Sequence, residues 1–355
     1  MSPERHFWHG KKVFVTGHTG FKGAWLCFWL HAMGAKITGI ALAPDTQPSL
    51  FKLLSLDKLI NSTFLDIRNQ SQLAEAVNQS GAEIVFHLAA QALVREGYKS
   101  PLSTFEINFG GTCNLLEALR LGSSVRVAVI VTTDKVYKNL ERQLPFVETD
   151  ELGGRDPYSA SKAAAEIVVE CYRESFLRNQ GLAVATARAG NVIGGGDWSA
   201  DRLIPDCMKA WGSGLNVEIR MPEAVRPWQH VLDPVAGYLV LAQKLWKDSS
   251  LASSYNFGPD AEGSASVREA VSLAREKWGK NDACVVFGEV HDGPKESNVL
   301  RLNNARARDV LGFTPRWELE AAIARTVNWY KEARSGKSAT LLCARDIEAY
   351  EHGLS

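Results

Sequence analysis

The feature that most constrains this chain is the run Lys12-Val13-Phe14-Val15-Thr16 followed directly by Gly17-His18-Thr19-Gly20-Phe21-Lys22-Gly23. A short β-branched stretch enters a turn with glycines three apart, and an apolar segment leaves it. Glycine at 17, 20 and 23 permits a sharp turn, close approach of backbone to a ligand, and tight packing of helix on strand. A helix that starts there offers unpaired N–H groups and the positive end of its dipole to an anion. The run is therefore read as a pyrophosphate-binding hinge for a dinucleotide. Strands joined through such helices lie parallel, so the hinge also predicts an alternating β–α chain.

The rest of the chain is read against that expectation. Apolar residues run almost continuously over 21–33, as in a helix buried against a sheet, with Gly34 as its C-cap. Strands are predicted over 36–42, 59–65, 83–90, 125–131 and 182–187, with helical segments over 73–78, 101–121 and from 158 onward. The second strand ends Ile40-Ala41-Leu42-Ala43, without the acidic residue that usually binds the ribose hydroxyls of NAD. Asp45 follows in the loop, but Pro44 and Pro48 around it make an ordinary turn. Beyond 190 the alternation loosens, and Trp198, Trp211, Pro222, Pro227 and Trp228 enter among Arg202, Arg220 and Arg226. Helices are predicted over 230–247, 267–277 and 318–333.

The predicted fold is α/β: a Rossmann-type doubly wound parallel sheet with a smaller, mixed C-terminal substrate lobe. The sheet domain is placed at 1–190 with returns around 228–258, the substrate lobe mainly at 191–335, and a tail of least readable pattern at 336–355.

Composition removes several function classes. Lys plus Arg equals Asp plus Glu at 40 each, so no overall field favours nucleic acid or an anionic membrane, and no basic stripe stands in the sequence. The six cysteines have no CxxC or other metal-ligand spacing, so no metal is expected and they are read as reduced thiols of a cytoplasmic protein. The most apolar run, 24–30, is far short of a membrane span, and residues 1–12 lack the apolar core of a leader.

Polar chemistry collects where the fifth strand ends, in Thr132-Thr133-Asp134-Lys135-Val136-Tyr137. Open α/β sheets bind ligands at that end. A loop rich in Pro, Gly and acids then leads to Tyr158-Ser159-Ala160-Ser161-Lys162. Tyr158 and Lys162 are four apart, on one helical face, and an ammonium beside a phenol lowers its pKa and suits it to acid–base work.

The glycine turn, His87-Leu88-Ala89-Ala90, Asn108-Phe109-Gly110-Gly111-Thr112, Thr133-Asp134 and Tyr158…Lys162, in this order, resemble the extended short-chain dehydrogenase/reductase family, in its nucleotide-sugar branch. The likeness spans about 10–332. Thr133-Asp134-Lys135, in place of the commoner Thr-Asp-Glu, is similar to the dehydratases that act on CDP-glucose, as are Gly195-Gly196-Asp197-Trp198, Arg226-Pro227-Trp228-Gln229-His230-Val231 and Leu311-Gly312-Phe313-Thr314-Pro315-Arg316-Trp317.

The resemblance implies an NAD-dependent lyase with an internal hydride cycle, acting on CDP-glucose and yielding the CDP-linked 4-keto-6-deoxy sugar. Its implied catalytic residues are Tyr158, Lys162, Thr133, Asp134 and Lys135. Lys135 stands either as the base for carbon 5, deprotonated by desolvation, or as the cation that stabilises the enolate. The cofactor would be held by Gly17, Thr19, Gly20, Phe21, Lys22, Gly23, Asp66, Ile67, Leu88, Ala89, Ala90, Tyr158 and Lys162. The substrate would be held by Gln91, Asn191, Arg202, Leu203, Val217, Ile219, Arg226, Asn256 and Glu296. Lys295 replaces the histidine usual before that glutamate. The resemblance also implies a homodimer or dimer of dimers paired through the helices near 101–121 and 159–179, in a pathway to a deoxy or dideoxy sugar of a surface polysaccharide. Two other readings stand beside this one: a dehydratase or 4-epimerase for another nucleotide sugar, and a non-catalytic NAD-binding protein.

Overall fold

Seven strands form one parallel sheet in the computed structural model, which describes residues 2–142, 144–260, 263–279, 284–288 and 299–354. They are β1 (Lys12–Thr16), β2 (Lys36–Ala41), β3 (Asn61–Phe64), β4 (Ile84–His87), β5 (Val127–Val131), β6 (Ala183–Ala189) and β7 (Ser254–Phe257), hydrogen-bonded in the order β7-β6-β5-β4-β1-β2-β3. β1 pairs in parallel with both β2 and β4. The chain therefore reverses its direction of sheet growth between β1 and β4, and a crevice opens at their carboxyl ends.

The longer helices of the chain are α1 (Phe21–Ala32), α2 (Gln70–Ser80), α3 (Gly111–Arg120), α4 (Pro157–Tyr172), α5 (Leu203–Gly212), α6 (Leu232–Lys247), α7 (Val267–Trp278), α8 (Leu319–Arg334) and α9 (Ala339–His352). Local chemistry sets their starts. The Asp156 side chain accepts from Ser159 N at 2.9 Å with Pro157 at the first position of α4, Asn69 caps α2, and Ser266 with Glu269 forms a reciprocal capping box on α7. α1 starts at Gly20 with no capping side chain, which leaves its first N–H groups available.

β5, Val-Ala-Val-Ile-Val, is buried at every residue, because one apolar layer lies on each face of the sheet. One layer carries α1, α6, α8 and α9, with Trp8, Trp25, Trp29 and Trp329 at its centre. The other is closed by α2, α3 and α4 through Leu73, Val77, Leu115, Leu116 and Val169.

Three differences from the sequence reading have physical causes. The helix expected over 101–121 is divided into Pro101–Phe105, a wide π-type turn Glu106–Gly110, and α3. Asn108 in that turn donates through Nδ2 to Gln91 O (3.0 Å) and Ser161 Oγ (2.9 Å), bonds that hold the widened turn in place. The segment after α4 widens in the same way over Arg173–Leu177. The tail, finally, is the regular helix α9, and its residues Leu342, Cys343, Asp346, Ile347 and Tyr350 are buried. Short strand pairs outside the main sheet, 192–193 with 229–230, 225–227 with 264–266, and 217–219 with 285–287, build the region beyond β6. Among the described residues, no helix is long and apolar enough to cross a membrane.

Candidate active site

The glycine turn folds as its spacing requires. Gly17 has φ +81°, and a Cβ there would stand 2.6 Å from Ala89 N; a Cβ at Gly23 would stand 2.0 Å from the Gly17 carbonyl oxygen. Any side chain at either position would part β1 from the loop after β4, or α1 from the turn. Gly20 meets nothing nearer than 3.5 Å, so the space over the helix start is open. That is a cradle suited to a pyrophosphate, with the uncapped N–H groups of α1 as donors. Around it, Thr16 Oγ1 accepts from Leu88 N (3.2 Å) and Ala89 N (3.1 Å), which bends the end of β4 toward the turn, and Thr19 Oγ1 donates to Leu42 O (2.9 Å). Ile67 is buried against the backbone of Gly111, where a Cβ would meet it at 2.3 Å. Asp66 is tied to Arg68 at 2.6 Å, which holds its carboxyl below the usual range. Phe21, at the start of α1, packs beside Gly194 in the loop after β6, so the turn and the second lobe meet there.

At the end of β5, Thr133 donates through Oγ1 to Asp134 Oδ1 (3.0 Å) and accepts from Lys135 N (3.3 Å). Asp134 is 2% exposed, and its second oxygen, Oδ2, has no partner. Burial raises its pKa against the opposing pull of Lys135, Thr133, Arg226 and Lys22. The backbone at residue 190 approaches Oδ2 closely and only glycine fits there: a Cβ would lie 2.8 Å from that oxygen and 2.5 Å from the Pro227 ring. Tyr158 is buried at the head of α4, which raises its phenol pKa, while Thr133 and Arg202 pull it back down. Lys162, one turn on, donates to Val131 O at 3.1 Å rather than lying against the phenol. Burial and the charge of Lys22 push the Lys162 ammonium down to about 8, and Glu166 opposes them.

Lys22 reaches this same cleft from α1. Burial and Arg202 push it down to about 8, while Asp134 and Asp197 act the other way. These mutual fields bring the glycine turn, Thr133-Asp134-Lys135, Tyr158, Lys162, Arg202 and Arg226 to one crevice. Sequence reasoning named Lys22 only through its motif, and it missed Asp197, Gly190 and the buried Glu166. Glu166 had a signal in its spacing, four residues beyond Lys162.

The expected substrate contacts divide. Arg202 stands just before α5 and donates to Ala92 O (3.3 Å), Leu203 opens α5, and Arg226 lies buried in the strand Val225–Pro227 and donates to Val225 O (2.9 Å). Asn191 is half-buried and its carbonyl accepts from Gln229 N at 3.0 Å. Val217 and Ile219 face the core, with Glu218 between them exposed.

Asn256 requires a correction. It is fully buried, its Nδ2 donates to Phe146 O (3.0 Å) and Asn303 O (3.1 Å), and its Oδ1 accepts from Tyr137 OH (2.6 Å). That side chain latches loops onto β7 and has no group left for a substrate. Much of Gln91 is spent likewise, with Nε2 donating to Thr104 Oγ1 (3.0 Å) and Oε1 accepting from Leu93 N (2.5 Å). Glu296 lies outside the described residues. Among the described residues, no group of three or more His, Cys, Asp or Glu is placed to hold a metal ion.

A doubly wound parallel sheet, a glycine cradle at its switch point, and a Thr, Asp, Tyr and Lys set at its carboxyl edge define an enzyme of the extended short-chain dehydrogenase/reductase class. The comparisons make this narrower. The family described as GDP-mannose 4,6 dehydratase matches residues 14–326, and the chain belongs to that family. It is 42% identical over 353 residues to the CDP-glucose 4,6-dehydratase of Salmonella typhimurium, covering 98% of each chain. Among solved structures it is similar to MoeE5 in complex with UDP-glucose and NAD, with a TM-score of 0.77 and 25% identity over 91% of this chain and 99% of that one. It shares its fold with DesIV, a dTDP-glucose 4,6-dehydratase from Streptomyces venezuelae, at a TM-score of 0.78 and 23% identity over 92% and 99% of the two chains.

Proposed function

We propose that this protein is an NAD-dependent lyase that converts CDP-glucose to CDP-4-dehydro-6-deoxyglucose and water. The observation that carries the reading is Asp134: a buried acid of raised pKa at the sheet edge, with one oxygen held by Thr133 and the other without a partner beside Gly190. A carboxylic acid kept protonated in a dry site can donate to a leaving hydroxyl, and elimination needs that donor where simple oxidation or epimerisation does not. The identity to the Salmonella enzyme over nearly the whole chain supports CDP-glucose as the substrate.

The chemistry supplied by bound NAD is a hydride acceptor at carbon 4 of the glucose and a hydride donor at carbon 6. Gly17, Thr19, Gly20, Phe21, Lys22, Gly23, Asp66, Ile67 and Leu88 to Ala90 would hold it. Tyr158, as phenolate, takes the proton of the carbon 4 hydroxyl, and Thr133, turning its one hydroxyl proton away from Asp134 Oδ1, donates a hydrogen bond to the same oxygen as its bond order changes. A ketone at carbon 4 acidifies the proton on carbon 5, whose removal drives out the carbon 6 hydroxyl. Asp134 gives that hydroxyl its proton, so water leaves. Lys135 serves this step either as the base, once deprotonated, or as the ammonium that holds the enolate. Lys162 would hold the nicotinamide ribose through its ammonium. Asn191, Arg202, Leu203 and Arg226 line the diphosphate, where guanidinium forks suit paired phosphates, and the strand of Val217 and Ile219 borders the base.

Exposed apolar residues support the assembly reading: Leu102, Phe105, Phe109 and Ile167 lie along the helices 101–120 and α4. A cytoplasmic location accords with cysteines that form no disulfide among the described residues.

The test is a panel of CDP-glucose, dTDP-glucose, UDP-glucose and GDP-mannose, followed by mass spectrometry without added reductant. Loss of one water from CDP-glucose, and far slower loss from the others, is expected. Preferential loss from a different sugar nucleotide refutes the base assignment, and isomerisation without water loss refutes the lyase.

A further inference from the structure

Tyr158, Lys162 and Glu166 succeed one another at intervals of four on α4, so a third functional group continues the face that carries the first two. Glu166 is 3% exposed and takes no part in the chemistry derived above. Its carboxylate is saturated by three donors: Thr132 Oγ1 to Oε1 at 2.5 Å, Thr186 Oγ1 to Oε2 at 2.7 Å, and Arg188 Nη2 to Oε2 at 2.8 Å. Thr132 directly precedes Thr133, and Arg188 lies two residues before Gly190, which packs closely on Asp134. Arg188 goes on, through Nη1, to Tyr137 OH (2.9 Å) and Glu148 O (3.1 Å), and Tyr137 OH donates to Asn256. A single buried carboxylate thus ties the ends of β5 and β6 to the helix bearing Tyr158 and Lys162.

A buried ion pair is weak evidence for stability, because desolvation offsets its attraction. Its value here lies in what it holds. We propose that Glu166 is a positioning residue for the reaction: its negative charge maintains Lys162 as a cation, and its bonds to Thr132 and Arg188 set the sheet edge that presents Thr133 and Asp134. This rests on the dehydratase reading above and assigns a new residue to it.

The groups that face Lys162 are Lys22 from α1, neutral His87 from β4, the Val131 carbonyl from β5, and Tyr158 and Glu166 from its own helix. Those facing Glu166 are Arg188 and Thr186 from β6 and Thr132 beyond β5. Within this set Glu166 is the anion beside Lys162, one helical turn away, and it opposes the burial that lowers that ammonium.

The experiment is the pH profile of kcat/KM for Glu166→Gln, an isosteric change that keeps most hydrogen bonds and removes the charge. The alkaline limb, where Lys162 loses its proton, is expected to move down by about one unit, with kcat lowered at every pH. A residue that only supports the fold would lower the rate and leave the limb in place, and that result overturns the proposal. Glu166→Gln leaves Arg188 as an uncompensated buried cation, so the double variant Glu166→Gln, Arg188→Gln is measured alongside. It is expected to show a smaller shift of the limb in the same direction, because a cation leaves with the anion, and unfolding of both variants by circular dichroism would make Glu166 structural only and overturn the claim. A second readout needs no turnover: the pH at which the apoprotein gains thermal stability as Lys162 deprotonates should fall in the variants by the same amount. Absence of water loss in the wild-type protein would count against the dehydratase reading itself, not against this assignment.

Discussion

Asp134 and Asp233 are two buried acids with the same local description and different prospects. Each has one oxygen satisfied and one without a partner, and burial raises the pKa of each. Asp233, near the start of α6, accepts through Oδ1 from Arg316 N (2.7 Å) and Tyr350 OH (2.8 Å), and its pKa is pushed up to about 6. Its surroundings are the packed rings of Trp317 and Tyr350, 5.1 Å apart, and the neutral His230 ring 4.6 Å from Trp317. Nothing can enter there. Asp134 instead has a glycine beside its free oxygen and the cations Lys135, Arg226 and Lys22 acting on it. Burial makes a high-pKa acid in both places, but only Asp134 stands at the carboxyl edge of the sheet among cations. The first acid is the one proposed for chemistry, and the second locks α9 onto the start of α6.

Substitutions should separate the two. Asp134→Asn keeps the shape and removes the proton donor, so kcat is expected to fall about 10³-fold while the thermal midpoint holds or rises. Retained turnover would put both acids in the structural class. Tyr350→Ala, at the other acid, opens a cavity under α9 and leaves Asp233 with one donor fewer. It should cost about 3–5 kcal/mol in denaturant unfolding, with kcat per folded molecule unchanged.

Asp233 also predicts a pH dependence with a definite sign. A carboxyl whose folded pKa lies above its unfolded value binds more protons in the folded state, so its contribution is fully present below about pH 4 and is lost as pH rises through about 6. The span is about 3 kcal/mol. Asp233→Asn should therefore flatten the fall in stability between pH 4 and 7 by that amount. Asp346, buried beside Arg325 and Arg345 and also pushed up to about 6, retains its own share. An unchanged slope in the variant would show that Asp233 titrates normally.

The same contrast explains what the sequence made legible. The glycine turn, six of the seven parallel strands and their crossover helices follow from backbone rules and hydrophobic period, and β1 to α1 folds as that spacing requires, whereas β7 falls where the alternation loosens. Which acid sits opposite a glycine is a tertiary fact, since Gly190 and Asp134 are on different strand ends. Asn256 shows the cost of carrying a role over by motif, for its amide is consumed inside the fold. α9 shows the reverse failure. Ala339, Leu342, Cys343, Ile347 and Tyr350 have helical spacing, but Asp346 stands in the same buried stripe, and only Arg325 and Arg345 account for an acid there.

The most direct test of the account is CDP-glucose carrying deuterium at carbon 4, incubated with the pure protein and followed by mass spectrometry and by the position of the label. The account predicts a product lighter by one water with the deuterium now on carbon 6, delivered within the same molecule. Deuterium lost to solvent, retained on carbon 4 after turnover, or found in released cofactor would contradict an internal hydride cycle at the crevice of Asp134 and Tyr158.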